Sequence, residues 1–139
     1  MKTKRILYSL LAIVVLFFSF KLYDKYKEKN FADEMNYNPS SFESLTFSDK
    51  KSLAWREDTK EPVETLMNYL NNYQIKKNDK CTFYSTKGFE FTIRSKDGKE
   101  KYVSIFNNCA YIMDYGLVEI VNGPVDMSWV QKFNKAYEK

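Results

Sequence analysis

Three carboxylates in the C-terminal half, Glu90, Asp114 and Glu119, are the side chains whose type comes nearest to catalysis. Paired acids flanking a glycosidic bond can hydrolyse it, one as proton donor and the other as base or nucleophile. Here the spacing argues against that use, because Glu90 and Glu119 fall on apolar segments separated by two others. The chain has no histidine, which removes the usual general base and the commonest nitrogen ligand for a metal. Ser-His-Asp, Cys-His and histidine-based zinc chemistry are excluded with it. The two cysteines, Cys81 and Cys109, cannot close a four-thiolate site and do not form a C-x-x-C motif. The expectation is a chain with no catalytic residues, no metal and no cofactor.

The same two cysteines pose a structural question. Outside the cytoplasm a lone pair of cysteines is by default a disulfide. If KCTFYS (80–85) is the first strand of a meander and Cys109 opens the fourth, two strands lie between them. Their α-carbons then stand farther apart than the roughly 7 Å a bond allows. If TFYSTK is instead a loop, the bond closes a long loop and stabilises the domain by about 3 kcal/mol. Disulfide, buried unreactive thiols and a functional thiol remain open at this point.

The elements that position these residues can be read in part from periodicity. Val63, Leu66, Met67, Leu70 and Tyr73 recur at helical spacing after Pro62, which suits a first helical turn; this predicts an amphipathic helix ending near Asn72. KCTFYS, GFEFTIRS, KYVSIFN, CAYIMDY and LVEIVN follow as strands separated by turn residues. DMSWVQKFNKAYEK is again helical, with Val130, Phe133 and Tyr137 on one stripe. Its start is marked by Ser128 and Gln131 as a capping box or by Asp126 as a rival cap. The predicted fold is α+β: an N-terminal membrane helix, then a small domain of an amphipathic helix, an antiparallel β-meander of four to five strands and a C-terminal helix. Residues 1–29 form the anchor and juxtamembrane segment, 30–57 a linker or irregular covering segment, and 58–139 the α+β domain.

Tight turns at Asp97-Gly98, Asn107-Asn108 and Tyr115-Gly116 give a mutually consistent register, since opposed residues share a face. They put Phe89, Phe91, Ile93, Tyr102, Phe106, Cys109, Tyr111, Met113, Val118 and Ile120 on a core face that the helices cover. The other face then holds Val103, Ile105, Ala110, Ile112 and Val121, rimmed by Arg94, Lys101, Asp114 and Glu119, with Glu90 and Thr92. Either Phe42, Phe47, Leu53 and Trp55 fold over it as a second layer, or it is a partner surface of apolar centre and charged rim. Lys101 and Asp114 read as a solvated cross-strand pair.

At the N-terminus MKTKR precedes an uncharged run of fifteen, Ile6 to Phe20. No small-residue cleavage pattern follows, which favours an uncleaved signal-anchor over a removed signal peptide. The membrane contact is then residues 6–23, with Ile6, Leu10, Val14 and Phe18 in the apolar stretch and Lys21 snorkelling. A short N-terminal tail stays inside and places the domain outside, although basic residues flank both ends of the run.

Of 22 basic and 18 acidic residues, seven and two respectively lie before position 30, so the remainder carries a net charge of −1. The basic balance belongs to the membrane end and not to a nucleic-acid surface, so no nucleic-acid partner is expected. The functional expectation is a membrane-anchored extracytoplasmic binding module acting through protein contacts. Examples are an accessory subunit of an envelope complex or an immunity or inhibitor protein. The alternative is a small cell-envelope enzyme or cell-wall glycan-binding domain.

Overall fold

The computed structural model describes residues 2–82 and 87–138. The chain begins with helix α1 (Lys2–Tyr26), exposed from Thr3 onward, of which Thr3–Tyr26 is long and apolar enough to cross a membrane, its most apolar 18-residue stretch having a mean hydropathy of 2.1. The rest is an α+β fold on one eight-stranded, fully antiparallel sheet. In chain order come β1 (Lys29–Asn30), α2 (Phe31–Met35), β2 (Phe42–Ser48), β3 (Trp55–Glu57), α3 (Lys60–Leu70) and β4 (Gln74–Lys77). Then follow β5 (Gly88–Ser95), β6 (Glu100–Phe106), β7 (Cys109–Ile112), β8 (Gly116–Ile120) and α4 (Met127–Tyr137). The strand order across the sheet is β1-β4-β8-β7-β6-β5-β2-β3.

The helices form where their polar ends are met. Asn30 accepts the Ala32 N–H at 2.9 Å and so starts α2, which stops at a left-handed Asn36. Asp126 caps α4 by accepting from Ser128 N–H at 2.8 Å, so it prevails over the capping box as the start signal. In α3, Val63, Leu66, Met67 and Leu70 are buried, as their spacing predicts.

Residues 30–57 are neither linker nor cover: they supply α2 and three strands of the sheet. Phe42, Leu45, Phe47 and Trp55 point into the same core as the helices, while Leu53 stands 89% exposed at a loop tip. SFESLTF, whose Phe42, Leu45 and Phe47 suit a short strand or a turn, is strand β2, and a bulge between Phe42 and Ser44 interrupts its period-two alternation. The predicted strand over 80–85 is not found at Lys80, Cys81 or Thr82, and the remainder of it lies outside the described residues. The strand that precedes the meander is β4, and it joins the far side, against β8.

The register differs from the predicted one in an instructive way. Phe91 opposes Val103, not Ser104. Gly98 has φ +84° and Asp97 is not left-handed, so the hairpin turns through three residues, with Ser95 N–H bonded to Lys99 O at 2.9 Å, in place of a two-residue turn. That one-residue slip turns β6 over. The Asn107-Asn108 turn is as predicted, pairing Phe106 with Cys109 and carrying the inversion into β7. The last turn comes early: Ile112 opposes Gly116, and Ala110 opposes Val118, a displacement of three that turns β8 back again.

The core face is therefore Phe89, Phe91 and Ile93 with Val103, Ile105, Ala110, Ile112, Val118 and Ile120, all buried beneath α2, α3 and α4. Each large side chain there contributes about 1.5–3 kcal/mol by leaving water. Phe47, Trp55, Trp129 and Phe133 continue this core as an aromatic cluster, with Phe47 and Phe133 ring centroids 5.0 Å apart.

Candidate functional site

Four members of the predicted partner surface, Val103, Ile105, Ala110 and Ile112, are core residues with no exposed area, so they form no docking face. Val121 is 39% exposed beyond the end of β8. Arg94 lies on the outer face, opposite α2, α3 and α4, 3.7 Å from both Glu43 and Glu100. Glu119 is on that face too, accepting from Asn78 Nδ2 at 3.1 Å. Lys101 and Asp114 come together, but elsewhere: Lys101 opposes Ile93 and faces inward, and both line a cavity at one end of the sheet. Ile6, Leu10, Val14 and Phe18 are exposed on α1.

Cys81 and Cys109 are bonded, with α-carbons 5.9 Å apart. The chain leaving β4 turns at Asn78–Cys81, where the Cys81 N–H meets Asn78 O at 3.1 Å, and meets β7 across β8. The separation by two strands that a strand over 80–85 would impose does not arise, because Cys81 lies in the turn after β4 and only β8 stands between it and β7.

The outer face carries Thr46, Thr92, Tyr102, Tyr111 and Leu117, each half-buried. Tyr102 and Tyr111 lie side by side, ring centroids 6.4 Å apart. The Tyr102 hydroxyl donates to Glu90 Oε2 at 3.0 Å, and burial raises this phenol above its ordinary range. Lys50 reaches in from the β2–β3 loop: its Nζ is 3.1 Å from Ser104 Oγ and 4.0 Å from Glu90, and it stands over the Phe106 ring. A lysine beside a serine is the geometry of one class of nucleophilic catalyst. Ser104, however, is buried in the middle of a strand paired on both sides, so the neighbouring N–H groups are spent in the ladder and none is left to hold an oxyanion. The cluster is a hydrogen-bonding surface, and sequence reasoning missed it because the inverted register put Glu90 and Tyr102 on opposite faces.

The second feature is the cavity of about 320 Å³ between the end of α2 and the β5–β6 hairpin. Met35, Phe42 and Ile93 supply its apolar part and Asn36, Tyr37, Asn38, Ser95, Lys99, Glu100, Lys101 and Asp114 its polar part. Among the described residues no group of acids and cysteines is arranged to hold a metal. The chain matches no known protein family, no curated protein and no solved structure.

Proposed function

We propose that this chain is a single-pass membrane protein whose domain lies outside the cytoplasm and works by binding a protein partner through the outer face of its sheet. The observation that carries the reading is that Phe42–Ser48 and Trp55–Glu57, from the segment that could have folded over the other face as a second layer, are strands of the same sheet. They leave Tyr102, Tyr111 and Leu117 half-exposed between charged groups. Tyrosine flanked by short hydroxyl side chains suits protein recognition, since it offers large contact area at low entropic cost. The exposed apolar helix supports the anchor, and the disulfide is consistent with an oxidising compartment. Roles of this kind include an accessory subunit of an envelope complex and an immunity or inhibitor protein.

The Tyr102–Tyr111 pair beside Glu90 favours one second reading, glycan binding by ring stacking. Purification of the tagged full chain from solubilised membranes tests the first. A protein should co-purify with the wild type and be lost with Tyr111→Asp or Leu117→Asp. Recovery only as a free monomer counts against a protein partner, and retention of the monomer on cell-wall polysaccharide, abolished by Tyr111→Ala, would establish the second.

A further inference from the structure

We infer that the cavity between α2 and the β5–β6 hairpin is a binding site for a monocarboxylate bearing an apolar group. This goes beyond the proposed outer-face interaction and does not depend on it. Lys101 is the reason. Its register partner is Ile93, and the next inward residues of its strand, Val103 and Ile105, are fully buried, so a cation stands at the end of an otherwise apolar row. Inward charges on edge strands discourage aggregation, but β6 is a central strand and has no such need. The contact Lys101 makes, Nζ to Met113 O, is 3.5 Å, at the limit of a hydrogen bond. The other charges of the lining hairpin have partners: Lys99 holds Asp97 at 2.8 Å, and Glu100 faces Arg94 at 3.7 Å.

Tyr37 also lines the cavity, and its hydroxyl is buried with no hydrogen-bond partner among the described residues, a condition that calls for an explanation in a folded protein. Burial raises this phenol, so it remains a donor. A lining that combines the Lys101 cation and polar side chains with Met35, Phe42 and Ile93 fits a carboxylate whose side group rests on the apolar part. The volume is at the small end of ligand sites and suits about one amino-acid residue. Asp114 on the rim disfavours a dianion, which selects carboxylate over phosphate.

Such a group is supplied either by the C-terminal residue of a protein chain or by a free acylated amino acid. The test is amide NMR of the isotopically labelled full chain in detergent micelles, titrated with N-acetyl-leucine, N-acetyl-leucinamide and inorganic phosphate. N-acetyl-leucine should shift Phe42, Ile93 and Lys101 saturably, with the uncharged amide at least about tenfold weaker. Lys101→Met should weaken the acid by about tenfold and remove its advantage over the amide, while Asp114→Asn should tighten it. Should Lys101→Met fail to fold, the Asp114→Asn comparison still decides. Tighter binding by a pentapeptide ending in leucine than by N-acetyl-leucine supports the site with a chain terminus as source, and equal binding supports it with a small molecule. Equal binding of acid and amide, phosphate binding as tightly as the acid, or no saturable shift overturns the inference.

Discussion

Asn134 shows how a single polar side chain organises one edge of this domain. Buried on α4, it accepts from Trp55 Nε1 at 2.7 Å and donates to Ser52 Oγ at 3.0 Å, so it ties the β2–β3 loop and β3 to the helix. Asp49 completes the loop by accepting from the N–H groups of Lys51 and Ser52. Replacing Asn134 by leucine leaves the Trp55 indole N–H without its acceptor and Ser52 Oγ without its donor, and should cost about 2–3 kcal/mol in urea denaturation, whereas Lys135→Ala on the exposed side should be near neutral. A second residue-scale network closes on itself: the Asp126 N–H bonds the Tyr73 hydroxyl, which donates to Tyr69, which donates back to Asp126 O. Tyr69 also stacks on Trp129 with ring centroids 3.7 Å apart. Burial, then the bond from Tyr73, pushes the Tyr69 phenol far up, and burial raises Tyr102 and Tyr137 as well. Unfolded tyrosine ionises near pH 10, so above that pH the unfolded chain releases protons that the folded chain keeps. Stability should be flat below about pH 10 with respect to these groups and fall above it. Tyr69→Phe should reduce the alkaline slope measured by denaturation at stepped pH, and an unchanged slope would remove Tyr69 from this account. The caps and the helix stripe behind these networks were legible in sequence; the partners of Asn134, 79 and 82 residues away in the chain, were not.

At the scale of elements, type was easier to read than parity. Both long helices of the domain and the four strands of the meander follow from spacing, because each is a local pattern. Facing depends on whether each turn uses an odd or even number of residues, and composition does not declare that: Asp97-Gly98 serves a two-residue or a three-residue turn equally well by residue type. Two odd displacements, at the first and third turns, exchanged the faces of β6 and β7 and restored that of β8. The observed register makes a sharp prediction. Ile105→Asp places a carboxylate in the core and should cost on the order of 5 kcal/mol or abolish folding, while Tyr111→Asp on the open face should change stability by no more than about 1 kcal/mol. The predicted register would reverse that order, so urea denaturation of the two variants discriminates. β1 and β3, two and three residues long, are too short to carry a periodic signal, and the bulge in β2 breaks the one strand of the segment long enough to show it.

For the whole molecule, the disulfide and the apolar helix frame the proposed binding role of the outer face. The bond joins residues 28 apart and ties the exit of β4 to β7. By restricting the unfolded chain it should add about 3.5 kcal/mol, so Cys81→Ser with Cys109→Ser, or reduction, should lower the unfolding free energy by that order. A reduced protein as stable as the oxidised one would show the bond to be incidental. The apolar N-terminal helix was visible in the first twenty-three residues, whereas the outer face emerged only when Phe42–Ser48 and Trp55–Glu57 took their places in the sheet. The central claim, a membrane-anchored domain that binds a protein through this face, is tested most directly by site-specific photo-crosslinking in intact cells. A photoreactive residue at position 117 on the outer face is compared with one at position 132 on the exposed side of α4. The account predicts a discrete protein adduct from position 117, absent from position 132 and lost when Tyr111→Asp is added. Adducts from position 132 alone, or equal and unselective adducts from both, would contradict it.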